Sequence, residues 1–293
     1  MVTAPSVPAG LFEALGELRG ELRCSSPSFS LLKVLLGEHF RASPLARANG
    51  GPVELGPFGA IDLPYTRMGA IDSVDLFGLD ELLIFAFYWA NRGLYRRTLD
   101  VGANLGLHSI LMARAGFAAT AYEPDPVHFD LLKANLARNR LTTVTAVRAA
   151  VSDADGELEF IRVVNNTTGS HLAGAKASPY GPLDKFRVPV RSFATLAADC
   201  DFAKVDAEGH EVVILQSAPP EAWSRLDVMV EVGTADNARA LYDHFRRLDV
   251  GLYPQKTGWR RAQRAEDLPT SHREGSLFVS RRDGLPWGSA ESA

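Results

Sequence analysis

The stretch that most constrains this chain is Thr98–Leu111, Thr-Leu-Asp-Val-Gly-Ala-Asn-Leu-Gly-Leu-His-Ser-Ile-Leu. A short apolar run ends at Asp100, a turn of small residues follows with Gly102, Asn104 and Gly106, and a helical pattern then begins. Strand, tight turn and helix in that order demand a βα unit. Glycines let backbone approach a ligand closely, and a helix start offers unpaired N–H groups to an anion.

The pattern around this turn extends it into a fold. Ala118–Tyr122 reads as a strand ending at Glu123; Asp125 and Pro126 have the N-cap and first-turn chemistry of a helix reaching Asn139, with Val127, Leu131, Leu132 and Leu136 inward. Val144–Val151 reads as the third strand, and Glu157–Val163 as another after the turn at Asp153–Gly156. Asn165–Lys185 is read as a long polar loop, followed by a short strand at Arg187–Arg191. Asp201–Val205 and Leu226–Val232 are strands, Glu211–Gln216 and Ala235–Leu248 helical, and Val250–Tyr253 and Ser276–Ser280 the last strands. Such alternation predicts an α/β fold: an open, mostly parallel sheet with helices on both faces.

Upstream, Leu11–Arg23 and Ser28–Phe40 have helical spacing, Val53–Leu63 suits a short hairpin, and Glu81–Asn91 is a helix apolar on most faces, hence buried. Three parts are expected: a mainly helical extension or cover over residues 1–80, a ligand-binding domain over 81–283, and a disordered tail over 284–293, with residues 1–10 frayed.

Composition narrows the partners. A formal net charge of −4 gives no broad basic field, so nucleic acid is not expected. The two cysteines, Cys24 and Cys200, form no metal or redox motif, no histidine pair has metal-ligand spacing, and a reducing cytoplasm is the expected setting. The first residues lack the pattern of a signal peptide. The longest apolar run, Leu82–Ala90, has nine residues, whereas a membrane span needs about 20.

Open α/β sheets bind ligands at the carboxyl ends of their strands, where Asp100, Glu123, Asp206 and Glu231 all fall. A dinucleotide fingerprint G-x-G-x-x-G fails, because counting from Gly102 the third and sixth positions are Asn104 and Leu107. Asp-x-Gly-x-Asn-x-Gly instead matches the acidic, glycine-rich turn of class I methyltransferases, with Asn, which tolerates positive φ, at the middle glycine. Glu123, 21 residues beyond Gly102, is spaced to accept both hydroxyls of a ribose.

Four ordered segments carry a more specific likeness. Asp-Val-Gly-Ala-Asn-Leu-Gly (Asp100–Gly106), Glu-Pro-Asp-Pro-x-x-Phe-x-x-Leu-x-x-Asn (Glu123–Asn135), Ala-Val-Ser-Asp-x-x-Gly (Ala150–Gly156) and Lys-Val-Asp-Ala-Glu-Gly-His-Glu (Lys204–Glu211) resemble the FkbM-type methyltransferases. The resemblance runs over roughly Leu82–Val232. It implies a Rossmann-like class I methyltransferase fold, a seven-stranded sheet with an antiparallel last pair, S-adenosyl-L-methionine as methyl donor, and a hydroxyl acceptor on a small molecule, sugar or glycan, lipid or polyketide-type metabolite. The chain departs from the family in reading Asp-Ala-Glu-Gly for the usual Asp-Val-Glu-Gly, and in having His210 where a small apolar residue is common.

The expected donor site comprises Asp100, Gly102, Asn104 and Gly106 at the methionine end, Glu123 at the ribose, and Ala150 and Asp153 beside the adenine; no metal is expected. Asp206, Glu208, Glu231 and His171 are the candidate catalytic residues, His171 as a polar group of the long loop. Glu211 is more plainly a helix-start charge, and His108 a packing or supporting group near the donor. Lys256, Arg260, Arg261 and Arg264 are read first as a solvated charged face. Two rival functions share these features: a degenerate methyltransferase fold acting as a non-catalytic binding subunit, and a nucleotide-dependent oxidoreductase. Acceptor identity and oligomeric state are not encoded in any motif of this chain.

Overall fold

The computed structural model describes residues 7–48, 50–175 and 181–287. Two helices open it, α1 (Ala9–Leu18) and α2 (Pro27–Ala42). Ser26 caps α2 by accepting a hydrogen bond from Phe29 N, with Pro27 in the first turn where its missing N–H costs nothing. Val53–Glu54 (β1) and Ala60–Ile61 (β2) form the small hairpin. Helix α3 (Leu79–Ala90) buries every residue from Leu82 to Tyr88, so Phe85, Phe87 and Tyr88 are core.

The main sheet begins at β3 (Arg97–Val101), which the turn joins to α4 (Leu107–Arg114). β4 (Ala118–Tyr122) and α5 (Pro126–Arg138) follow; Leu132 and Leu136 point inward, but Val127 is 53% exposed because it sits on the outer side of the first turn. The expected strand Val144–Val151 is broken in two. β5 (Thr145–Val147) ends the main sheet, and β6 (Ala150–Ser152) belongs to a second sheet. Hydrogen bonds from Glu123 N and Ala149 N to Val147 O mark where the chain leaves one sheet for the other.

That second sheet is the main departure from the sequence reading. It comprises β6, β7 (Gly156–Val163), β8 (His171–Leu172) and β9 (Leu183–Ser192), in the order β6-β9-β7-β8. The expected loop Asn165–Lys185 is therefore partly ordered: Thr167–Gly169 is a 3₁₀ turn, His171–Leu172 pairs with β7, and the chain re-enters a strand at Leu183. Residues 176–180 of it lie outside the described residues. The short expected strand Arg187–Arg191 is the middle of the longer β9, held to β7 from Gly156 to Val163.

α6 (Phe193–Ala197), β10 (Phe202–Val205), α7 (Glu211–Ser217), β11 (Asp227–Val230), α8 (Ala235–Arg247), β12 (Gly251–Pro254) and β13 (Leu277–Ser280) complete the chain. The seven-stranded sheet has the order β12-β13-β11-β10-β3-β4-β5, with β13 antiparallel to both neighbours and the other pairings parallel. Strand alternation sorts its two faces. Leu99, Val101, Ala203, Val205, Val228 and Val230 pack with α7 and α8, while Ala119, Ala121, Phe202, Met229 and Phe278 pack with α3, α4 and the N-terminal segments. In the segment expected to be a tail, Leu285 and Trp287 pack on the latter core, with Trp287 beside Gly16 of α1; residues 288–293 are not described.

Candidate active site

The site is built where β3, β4, β10 and β11 end. Gly102 (φ 78°), Asn104 (φ 51°) and Gly106 (φ 85°) all have left-handed backbone. This turn needs glycine for more than conformation. A Cβ on Gly102 would meet the backbone oxygen of Asp206 at 1.8 Å, and one on Gly106 would meet Leu132 Cδ1 at 2.3 Å. Asn104 is the residue type that best tolerates such φ without being glycine. The turn is tied down from two sides. Gly102 N and Ala103 N both donate to Tyr122 O at 3.0 Å, and Asn135 Nδ2 of α5 donates to Leu105 O at 2.9 Å.

Glu123 lies directly after β4 and is buried. Its Oε2 accepts from Asn104 N and its Oε1 from Asp125 N, each at 2.8 Å. The carboxylate is thus aimed by the turn that it faces, and each oxygen keeps a second lone pair for a ligand hydroxyl. Burial pushes its pKa up to about 7, against the opposing effect of those two backbone donors. Asp125 caps α5 and takes a bidentate contact from Arg162 of β7, both N···O distances 2.6 Å. The second sheet therefore braces the loop that presents Glu123.

Asp100 and Lys204 are register partners on β3 and β10, and their side chains share the face that carries α3 and α4. Asp100 is fully buried; its Oδ2 accepts from Ser109 Oγ at 2.5 Å, and its Oδ1 has no hydrogen-bond partner among the described residues. Lys204 is also buried, with Nζ 3.1 Å from Asp206 Oδ2. Burial lowers its pKa, but Asp206, Asp100 and Glu81 outweigh burial and raise it, so its charge is secure. Glu231 N donates to Val205 O at 3.1 Å, which sets Glu231 beside the end of β10. Burial, then repulsion from Asp206, Glu208 and Glu81, raise the Glu231 pKa well above the carboxylate range, with only Lys204 opposing.

Glu208 has φ 52° in the turn after β10, so its backbone conformation is constrained. Glu211 folds back on that turn, its Oε1 accepting from Ala207 N at 2.9 Å and Gly209 N at 3.0 Å; it is a cap. His210 Nε2 is 2.8 Å from Ser152 Oγ, joining the turn to β6.

The other expected residues are placed differently. His171 is not on an open loop: it is a buried residue of β8, with Nδ1 2.9 Å from Gly169 O. Ala150 is buried in the core of the second sheet with Phe160, Leu172, Val188 and Val190. Asp153 is exposed and accepts from Ser152 Oγ at 2.9 Å. The basic cluster is tied up locally: Arg261 pairs with Asp249, Arg264 with Asp267, and Lys256 with Glu274.

Sequence reasoning missed Glu81 and Lys204, because a buried lysine on a strand and a charge opening an apolar helix carry no local signature. It also missed the course of residues 164–175. Thr167 Oγ1 lies 2.8 Å from His128 Nε2 at the α5 start, and Thr167 N donates to Met68 O at 2.9 Å. At the other end, Ala175 O is so close to Gly209 that a Cβ there would meet it at 2.8 Å. This strap runs from the start of α5 to the turn after β10; in the sheet, β3 lies between β10 and β4, the strand that precedes α5.

A glycine turn lying against the end of β10, a carboxylate bonded to its backbone, and a family model for the methyltransferase FkbM domain matching residues 100–249 converge on one identity. The chain belongs to the FkbM methyltransferase family. Residues 100–249 thus form an FkbM methyltransferase domain, set in an α/β fold whose main sheet is mostly parallel. A curated relative, the methyltransferase sdnD of Sordaria araneosa, is 28% identical over 167 residues, which are 45% of this chain and 64% of that protein. The match thus spans less than two thirds of that relative. Among solved structures, this chain is similar to a SAM-dependent methyltransferase from Agrobacterium tumefaciens (TM-score 0.43, 12% identity, 79% of this chain and 70% of the other). It is also similar to the human methyltransferase 10 domain containing protein (TM-score 0.42, 16% identity, 87% and 95%). Among the described residues, no helix is long and apolar enough to cross a membrane.

Proposed function

We propose that this chain is a methyltransferase that uses S-adenosyl-L-methionine to methylate a hydroxyl oxygen of a small-molecule acceptor, of the sugar or glycan, lipid or polyketide type. The residues present suit the donor. Gly102 lets the turn lie directly against the Asp206 backbone, and buried Asp100 Oδ1 and Asn104 Oδ1 lack hydrogen-bond partners among the described residues. In this reading the methionine end lies over Gly102–Gly106, the ribose on Glu123, and the adenine beside the backbone of Ala150–Asp153. When bound, the donor supplies an electrophilic methyl group on a sulfonium.

The chain's own residues supply positioning, exclusion of water and a proton acceptor. Alignment of reacting groups contributes roughly 7–11 kcal/mol in ideal cases. The strap 164–175 and the N-terminal residues 1–80 are proposed to wall the acceptor, with 81–283 as the donor-binding domain. Glu231 carries the oxygen-acceptor reading: it is a half-buried carboxylate at a strand end, made more basic by partial burial and then by Asp206 and Glu208. A hydroxyl must shed its proton as its oxygen is methylated, and Glu231 takes that proton on a carboxylate oxygen. A cationic ligand in the same cluster favours the ionised, receptive form. Asp206, held by Lys204, and Glu208 shape the acceptor side, whereas burial in β8 makes His171 a support for the strap.

The test is incubation of a metabolite extract with enzyme and methyl-deuterated donor, followed by mass spectrometry and NMR of the labelled product. An O–CH₃ resonance is expected, and a methyl on nitrogen or carbon overturns the oxygen reading. With that acceptor in hand, Glu231→Gln is expected to lower kcat by about 10²–10⁴-fold, leaving S-adenosylhomocysteine affinity unchanged.

A further inference from the structure

Of Glu81, Asp100, Asp206, Glu208 and Glu231, only Glu81 lies outside the matched region 100–249. It sits in the first turn of α3, whose following residues are core. Its Oε2 is buried and lies 3.0 Å from His108 Nε2, an electrostatic contact outside hydrogen-bond alignment. The side chain as a whole is nevertheless 31% exposed, so the rest of it reaches open space.

The bracing behind Glu81 is extensive. His108 comes two residues after Gly106, and its Nδ1 is 2.9 Å from the hydroxyl of Tyr88. With Nε2 carrying a proton toward Glu81, Nδ1 accepts from that hydroxyl. The ring also stands edge-on to Phe85, centroids 5.1 Å apart. Tyr88 and Phe85 are both fully buried. A carboxylate is therefore held by a ring that is itself held by the core, at the start of the helix that follows the donor turn. An ion pair joining α3 to α4 needs none of the exposure that Glu81 retains.

Charge completes the case. Burial alone raises the Glu81 pKa, but His108 and then Lys204 outweigh it and bring it below the usual range, so Glu81 is ionised at neutral pH. Lys204 does not cancel that charge, because its Nζ is bonded to Asp206. A partly exposed, ionised carboxylate next to the methionine end of the donor faces a ligand whose amino-acid moiety carries an ammonium group.

Resting on the donor placement proposed above, we infer that Glu81 binds the α-ammonium group of the donor's methionine moiety, with His108 and Tyr88 as positioning residues behind it. The N-terminal segment thereby contributes directly to donor recognition.

Calorimetric titration of the full chain with two probes tests this: S-adenosylhomocysteine, and its desamino analogue, which keeps the carboxylate and lacks the ammonium. Wild type is expected to prefer S-adenosylhomocysteine by at least about tenfold, the scale of a charge-assisted hydrogen bond. Glu81→Gln should lose that preference by weakening S-adenosylhomocysteine alone, the analogue staying within about twofold. Glu81→Asp, which keeps the charge on a shorter stem, should retain part of it, and serves if the Gln variant fails to fold. Equal weakening of both probes, or no preference in wild type, overturns the assignment and leaves the donor placement intact. Failure of wild type to bind S-adenosylhomocysteine at all overturns the donor placement and this inference with it.

Discussion

Gly102 lies so close to the backbone of Asp206 that a Cβ on it would come within 1.8 Å of the Asp206 carbonyl oxygen. The two residues belong to the ends of neighbouring parallel strands, and their contact brings the glycine turn after β3 against the acidic turn after β10. Gly102→Ala must move backbone, and its φ of 78° adds about 1–2 kcal/mol of strain. It is expected to lower the unfolding midpoint in urea and to abolish S-adenosylhomocysteine binding. Gly106→Ala should be milder, because it meets the end of a Leu132 side chain, and Leu132→Ala in that background should restore part of the loss. Wild-type affinity in Gly102→Ala would show that the close approach has no bearing on the ligand.

Glu123 links pH to both stability and binding. Its pKa is raised from 4.5 to about 7 by burial. The folded protein therefore holds this proton more tightly than the unfolded chain does. That contribution is complete below pH 4.5 and is lost as pH rises through 7, roughly 3 kcal/mol in all. Between pH 5 and pH 8, unliganded wild type should lose stability relative to Glu123→Gln, as urea unfolding would measure. S-adenosylhomocysteine affinity should move oppositely, increasing with pH in wild type and not in the variant, because ribose hydroxyls donate best to the ionised carboxylate. Parallel pH curves for the two proteins would exclude Glu123 as the titrating group.

Asp125 has a side chain only 2% exposed, and it depends on Arg162. Burial raises its pKa, but the guanidinium and the backbone donors of α5 outweigh it, so the carboxyl is held below its usual value. Arg162→Ala strands a buried carboxylate and is expected to cost about 3–5 kcal/mol. Adding Asp125→Asn should recover a substantial part, since asparagine caps a helix without the charge. Thermal unfolding of the single and double variants checks this; an additive double variant would show that the pair is not coupled.

The strap depends on His128. Burial lowers the pKa of this histidine below 6.5, so the neutral form is the folded one. Its contribution is present above pH 6.5 and is lost as pH falls through the lowered value. The hydrogen-exchange protection factors of residues 163–175, corrected for the intrinsic pH dependence of exchange, should fall on acidification, and Thr167→Val should produce that loss of protection already at pH 8. Unchanged exchange in the Thr167 variant would mean that the contact with His128 does not anchor the strap.

Local chemistry made much of this legible. The Asp-Val-Gly-Ala-Asn-Leu-Gly turn, the Asp125–Pro126 helix start and the strand ending at Tyr122 lie where their own residues place them, because positive-φ positions, N-caps and alternating strands are decided within a few residues. Asn135, met in the sequence only as part of a motif, acquires a physical reason in its hydrogen bond to Leu105 O. Val144–Val151 misled for an equally plain reason. An apolar run carries no mark of which sheet it joins, and only the pairing of Ala150–Ser152 with Val190–Ser192 separates it from β5.

What the sequence determined by itself was the order of βα units, the glycine turn after β3, the acidic strand ends and the family, all properties of short segments and their spacing. Only the tertiary structure decided the second sheet, the burial of His171 and Ala150, the strap between α5 and the turn after β10, and the meeting of Glu81 with His108. Those are long-range facts. The environment of a charge depends on which distant segments exclude water from it, and no local pattern records that.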